Sequence, residues 1–352
     1  MKMTRLLVTA LVLAAPVAHA DKRVDDAVAR AESHIQKGRP EEAVKTLERV
    51  VSQQPGSPEA QLALARVQWR VGNVEEGAAA AAKAAELSSS APPAVRADVL
   101  ATVSSLTLLR GAGRDALAHA DNAVKAQETP ATLAALARAQ ARTGQATAAL
   151  QTAQRAVQGG ATSAIAQQAL GEALLAAGRA GEAEAALRKA TELDPKLTDA
   201  HNGLTLALLA QGKNAEAVAV ARKASEADPR SGEAFAVLGA AILAENKNNW
   251  SDAIAQAQQG AFLHPRNPVV QVTVGRIFEA GGNLDQAGNS YRRALEADPA
   301  YVPARAALIL IQVRKGELDA AATEAQKLVT DAPQSGEAHL QLGRILLRKG
   351  DY

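Results

Sequence analysis

Six histidines, no cysteine and several neighbouring carboxylates are the side chains in this chain that could carry chemistry. A histidine metal site needs two imidazoles on one helix face, three or four residues apart, or a further ligand brought beside them. His34, His119, His201, His264 and His339 stand far from one another, and His19 lies in a leading segment. The absence of cysteine removes thiolate nucleophiles, disulfides, zinc-thiolate sites and the cysteine that would carry a lipid anchor. Glu182 and Glu184 flank a single alanine on a helix whose charges read as a solvated face. Gly111-Ala112-Gly113 has two of the glycines of a dinucleotide fingerprint but no third, and it follows a helical pattern where the fingerprint needs a strand. There is no nucleophile elbow, phosphate-binding loop or His-Glu-x-x-His. These residues predict no catalytic centre, no cofactor and no metal.

The elements that position the side chains are set by proline and glycine. Pro195 and Pro229 are separated by 34 residues, as are Pro265, Pro299 and Pro333 in turn. Gly178 and Gly212 repeat the step, and so do Gly282 and Gly316. Each proline follows a helical pattern and each glycine divides two such patterns, so one cycle holds two helices. Apolar residues make up 47% of the chain and aromatics only 2%, so alanine, leucine and valine must build the core. That composition favours closely approaching helices. Ser57-Pro58-Glu59, Asn267-Pro268, Ser231-Gly232-Glu233 and Ser335-Gly336-Glu337 supply capping signals at helix starts.

The unit Ala164 to Leu197 resembles the tetratricopeptide repeat family at Leu170, Gly171, Leu174, Ala183, Leu187, Ala190 and Pro195. Pro268 to Tyr301 carries Val274, Gly275, Phe278, Ala287, Tyr291, Ala294 and Pro299 at the same places. Gly38, Ala43, Leu47 and Pro55 fit a diverged first unit, and Gly72 lies 34 residues beyond Gly38. The resemblance implies an all-α fold, a right-handed superhelical solenoid of helix-turn-helix repeats. About nine helix pairs are expected from residue 21 onward, with an unpaired last helix over 336–350. Two irregularities are expected. Ser88-Ser89-Ser90-Ala91-Pro92-Pro93 lengthens one inter-repeat turn or changes the pitch, and Glu245-Asn246-Lys247-Asn248-Asn249-Trp250 replaces a glycine turn. The second reads chiefly as an insertion on the solvent face, with a contact site as the alternative.

In this family the first helix of each unit lines a concave surface through its second, fifth, ninth and twelfth places. Carried over by position, those places hold Arg66 and Trp69, Arg138, Glu172 and Leu175, Asn202 and Leu209, and Leu243. They continue with Val272, Arg276 and Glu279, then Leu340, Arg344 and Leu347. Arginine recurs at the ninth place in Arg66, Arg138, Arg276 and Arg344. An aliphatic groove with spaced arginines suits an extended or helical peptide bearing acidic residues. The other reading of those arginines is plain solvation of the concave face. Asn202 has no lysine partner in the next unit, so the pattern departs from a terminal-carboxylate clamp.

At the amino end Lys2 and Arg5 precede the apolar run Leu6 to Ala15, and Ala18-His19-Ala20 follows as a small-x-small site. This is the plan of a secretory signal peptide over residues 1–20, with maturation near Asp21 and too short an apolar run to span a bilayer. Without Lys2 and Arg5 the basic residues fall from 39 to 37, equal to the 37 acidic ones. The balance gives no pull toward nucleic acid or an anionic membrane. The expected protein is therefore periplasmic or secreted, non-catalytic, and a scaffold for protein partners in a bacterial cell envelope. Exported relatives of this type resemble components of polysaccharide export, pilus assembly, motility and outer-membrane biogenesis. Two alternatives stand beside it: the amino-terminal repeat arm of a larger outer-membrane polysaccharide exporter, and a regulatory subunit of an envelope enzyme.

Overall fold

The computed structural model describes residues 22–350 apart from 72, 111 and 334. The signal-like segment and the expected turn glycines Gly72 and Gly111 lie outside the described residues. Successive helices pair as α1 (Lys22–Gln36) with α2 (Pro40–Gln53), α3 (Pro58–Val71) with α4 (Val74–Leu87), and α5 (Pro93–Arg110) with α6 (Gly113–Ala126). The array continues with α7 (Pro130–Arg142) and α8 (Ala146–Gly159), α9 (Ala164–Ala176) and α10 (Ala180–Leu193), and α11 (Thr198–Ala210) and α12 (Asn214–Ala227). Then come α13 (Gly232–Glu245) and α14 (Trp250–Leu263), α15 (Pro268–Ala280) and α16 (Leu284–Ala297), and α17 (Val302–Arg314) and α18 (Leu318–Asp331). The last helix is α19 (Gly336–Lys349), and there is no strand among the described residues.

Local chemistry sets these boundaries. Ser163, Ser231 and Ser335 each accept a hydrogen bond from the backbone N–H three residues on, and Asn267 Oδ1 accepts from Val269 and Val270. Each satisfies a donor that the first helical turn leaves unpaired. Within a pair, the turn reverses through a left-handed residue, as at Gly178 (φ 74°) and Gly282 (φ 80°), where a side chain would strain the backbone. Between units a further tie recurs. His201 Nε2 bonds Pro195 O at 2.9 Å and His339 Nε2 bonds Pro333 O at 2.9 Å. Gln167 and Gln271 donate likewise to Ala161 O and Pro265 O. All four side chains stand at the fourth place of their units, so two of the histidines serve the inter-repeat turn, with the proton on Nε2 because a carbonyl only accepts.

Packing within a unit depends on a bare backbone meeting a large side chain. A Cβ on Gly171 would overlap Leu187, and one on Gly275 would overlap the ring of Tyr291. Leu187 and Tyr291 are fully buried, as are Ala183 and Ala190 beside Leu187. The core is a chain of such crossings, and its largest cluster runs unbroken from Leu174 to Ile277.

Both irregularities are absorbed by the fold. Ser88–Ser90 forms a 3₁₀ turn, and α5 extends to 18 residues where the helices around it have 13 or 14. At the second, Lys247–Asn249 forms a 3₁₀ turn in place of glycine. Trp250 then packs onto the next unit: its indole Nε1 donates to Ile277 O at 3.2 Å and its ring lies against Phe278. A Cβ on Gly281 would overlap that indole. The loop residues Glu245–Asn249 are exposed, as a solvent-face insertion requires, while Trp250 at its end makes an inter-repeat packing contact.

The solenoid winds tightly enough for distant units to touch. The Trp69 and His264 rings lie 6.3 Å apart, Arg230 Nη1 donates to Arg70 O at 3.2 Å, and Asn267 Nδ2 donates to Leu109 O at 3.0 Å. Arg266 faces Glu75 at 3.5 Å. The turns that precede α13 and α15 thus close against the ends of α3 and α5.

Candidate protein-binding surface

The predicted concave positions divide into a filled part and an open part. Arg138 on α7 is in the filled part. Its Nε lies 3.1 Å from Glu172 Oε1, and its Nη2 lies 2.7 Å from Asp199 Oδ2. Gln168 Nε2 holds the same Glu172 oxygen at 2.6 Å. One turn along α7, Arg142 Nη2 reaches Glu233 Oε2 at 3.3 Å, and Asn267 Nδ2 donates to Glu233 Oε1 at 2.9 Å. The helices α7, α9, α11 and α13 and the turn before α15 are thereby joined by one polar seam, buried at Arg138 and Glu233 and partly open to solvent at Asp199 and Arg142.

The electrostatics of the seam follow from burial and pairing. Burial raises the Asp199 carboxyl above its usual range, with Glu233 and Glu172 pushing the same way and Arg138 resisting. For Glu233, burial alone would raise the carboxyl, but Arg142, the Asn267 amide and His264 outweigh it and hold it low. Glu233 drives the Arg142 guanidinium further toward its charged form. The charges are spent on one another.

Arg66 is also enclosed. Its Nη2 donates to Thr102 Oγ1 at 2.8 Å, and burial lowers its pKa while Asp98 draws it back. Trp69 is half-buried beside His264. Asn202 is 4% exposed, and neither its Oδ1 nor its Nδ2 has a hydrogen-bond partner among the described residues. Val272 is a core residue, while Leu175, Leu209 and Leu243 are half-buried against the main cluster. Glu279 accepts from Tyr291 Oη at 2.7 Å and pairs with Arg314 at 2.8 Å.

The open part consists of Arg276 on α15 and of Leu340, Arg344 and Leu347 on α19, all exposed. Ile165 and Leu206, each 41% exposed, belong with it. They stand at the second and ninth places of their units, so the positional rule reaches them, as it does Asp199 and Glu233 at second places and Gln168 at a fifth. Arg142 and Asn267 lie outside that rule, and their partners are remote in sequence. Only the tertiary winding reveals them. Among the described residues no group of histidine and carboxylate ligands is arranged to hold a metal, and no helix is long and apolar enough to cross a membrane.

Comparison with known proteins places this geometry. A tetratricopeptide repeat family profile matches residues 28–92, 238–302 and 306–352, which together make half of the chain, and a second tetratricopeptide repeat profile matches 174–242. The chain belongs to the tetratricopeptide repeat family. As a tetratricopeptide repeat protein it is a scaffold for protein–protein interaction, and members of the family are generally non-catalytic. No curated protein sequence matches it. Among solved structures it is similar to human IFIT1, a dimer with PPP-AAAA, at 15% identity and a TM-score of 0.54, over 96% of this chain and 93% of that one. It is also similar to the Cut9–Hcn1 hetero-tetramer of the APC/C at 13% identity and a TM-score of 0.49, covering 93% and 84%. A thermophilic tetratricopeptide repeat protein of Thermus thermophilus, TTC0263, matches at 22% identity and a TM-score of 0.48, covering 53% of this chain and all of that one. At these identities the likeness to human IFIT1 is one of fold alone.

Proposed function

We propose that this tetratricopeptide repeat protein is an exported, non-catalytic scaffold of a bacterial cell envelope that captures a segment of a partner protein on its concave face. The observation that carries the reading is the pair Ile165 and Leu206, large aliphatic side chains left 41% exposed at concave places of neighbouring units. A partner segment laid over them removes apolar area from water, and the preformed solenoid gives up little conformational entropy in doing so. The signal-like pattern of residues 1–20 supports export, and the scarcity of unpaired buried charge on the concave face favours recognition through shape and apolar contact.

The test is photo-crosslinking in native cells, with a reactive residue at Leu206 and, as a control, at exposed Gln258 on the second helix of the α13–α14 pair. A discrete adduct from Leu206 and none from Gln258 is expected. Equal capture from both positions, or from neither, overturns the concave-face reading. Mass spectrometry of the purified protein checks export separately: a mature chain starting at Asp21 is expected, and an intact Met1 in the final compartment refutes it.

A further inference from the structure

In three successive units, the residue after the buried crossing alanine of the second helix carries a side chain toward the next unit. After Ala183, Ala217 and Ala253 those residues are Glu184, Val218 and Ile254, the last two in the core. After Ala287 the place holds Gly288. A Cβ there would have Ile311 Cδ1 at 3.7 Å and Arg292 Nη2 at 4.0 Å as its neighbours, so an open slot stands where the three preceding units are filled. The slot belongs to a cavity of about 430 Å³ between α16 and the α17–α18 pair, whose apolar lining includes Leu295, Leu308, Ile309 and Ile311. On its far side α19 packs against α17 and α18.

The α9–α10 unit shows what this place takes. Glu184 Oε1 accepts there from Arg188 Nη2 at 2.8 Å, and Oε2 accepts from Gln211 Nε2 and Lys213 Nζ, each at 2.7 Å. Three units on, Arg292 stands at the place of Arg188, Lys315 at that of Gln211, and Gly288 at that of the glutamate. Two cations thus frame a place from which the acid is missing. Arg292 has no carboxylate partner among the described residues, its Nη2 donating to Asn289 Oδ1 at 2.6 Å, and Lys315 Nζ pairs only with the exposed Asp285, at 3.5 Å. Glu317, at the place of Lys213, and Glu324 line the same cavity, so it accepts one acid and repels a second. Gln312 lines it too, and its buried Oε1 accepts no hydrogen bond among the described residues. An enclosed acceptor of that kind calls for an N–H donor.

The cavity lining runs from Leu284 to Leu295 on α16 and from Arg305 to Lys315 on α17. By helical rise each wall is about 15 Å long, the length of about four or five residues of extended chain. We propose that the α16–α17 junction binds an extended segment of a partner protein that lowers one glutamate into the slot over Gly288. The glutamate stem lies against Ile311, its carboxylate meets Arg292 and Lys315, and a backbone N–H of the segment donates to Gln312 Oε1. The residues flanking that glutamate are neutral or basic, because Glu317 and Glu324 stand beside them. This surface is separate from the concave pair Ile165 and Leu206.

The experiment selects a random seven-residue peptide library on the full chain and measures binding of the recovered peptides to the wild type, Gly288→Glu, Gly288→Val and Arg292→Ala. The expected consensus is a single glutamate beside aliphatic residues, without further acids. Gly288→Glu supplies the missing carboxylate from within the chain, so it should melt no lower than the wild type and bind the peptides at least about tenfold more weakly. Gly288→Val, which fills the slot, and Arg292→Ala, which removes its cation, should weaken binding by a similar factor. A lower melting temperature for Gly288→Glu shows that the slot is not open and overturns the proposal. A consensus without glutamate, no recovered peptide, or peptides that bind every variant as well as the wild type does the same. Glutarate that competes as well as the peptides would make the occupant a small dicarboxylate, and a wild-type dimer in light scattering that Gly288→Glu abolishes would make it a second copy; either result overturns the partner segment. Crosslinking from Leu206 reads the concave face separately, so failure at one surface leaves the other standing.

Discussion

Arg142 and Glu233 lie 91 residues apart in sequence, yet their side chains meet at 3.3 Å and tie the end of α7 to the start of α13. Glu233 is 8% exposed at its side chain, so removal of its partner strands a buried charge. Arg142→Ala should therefore destabilise the protein by about 2 kcal/mol, less than a fully buried pair costs because Arg142 retains some solvent contact. The same variant should raise the radius of gyration in small-angle scattering as the winding loosens. An unchanged melt with an unchanged scattering profile would show that the seam holds nothing together.

At the crossing of α9 and α10, Gly171 lies beneath the buried Leu187 with no room for a Cβ. Gly171→Val should cost roughly 2–3 kcal/mol through overpacking. The double variant Gly171→Val with Leu187→Ala should lose less than the two single losses added, since the smaller partner yields space to the larger. Additive losses in denaturant melts would place the two residues out of contact.

These two predictions differ in how far the sequence foretells them. The Gly171–Leu187 crossing is legible because the 16-residue spacing returns at Gly275 and Tyr291, and a repeated packing rule prints itself on each copy. The capping serines and turn glycines are legible for the same reason: their chemistry is local. The Arg142–Glu233 contact is not legible, because it depends on the accumulated rotation between units, which no single unit encodes. A residue's place within its repeat can thus be read one helix at a time, while its contacts with distant parts of the same chain cannot. The packing of Trp250 is hidden for a similar reason, since its partner Gly281 belongs to the following unit.

Acid should weaken the junction between α10 and the turn that joins α11 to α12. Glu184 accepts from Lys213, Arg188 and Gln211, and these bonds hold its carboxyl down to about 2 from an ordinary 4.5. A carboxyl that is more acidic in the folded state than in the unfolded one contributes stability that is complete above 4.5 and is lost as pH falls toward 2. Glu184→Gln should cost about 1 kcal/mol at neutral pH, a value limited by the half-exposed cations, and should flatten the acid limb of the stability profile. The same acid limb in wild type and variant would remove Glu184 from the account.

Asn202 presents the opposite case, a polar side chain whose removal should help. It is buried on α11, and its amide, shielded from bulk solvent, has no protein hydrogen-bond partner among the described residues. Leaving an amide unpaired in an apolar setting costs on the order of 1–3 kcal/mol, and a side chain of similar shape without polar atoms avoids that cost. Leu204 and Leu208 line the same helix and are buried, so the surroundings already accept leucine. Asn202→Leu should raise stability by about 1 kcal/mol, the gain reduced by the added methyl volume. The discriminating measurement is the melt of Asn202→Leu beside that of Asn202→Ala, which removes the same amide but leaves a cavity. Stabilisation by leucine together with loss in alanine would mark Asn202 as a tolerated polar defect in the core. If both variants lose stability equally, the amide is making a hydrogen bond in solution, and the fifth place of this unit regains its standing as a recognition position.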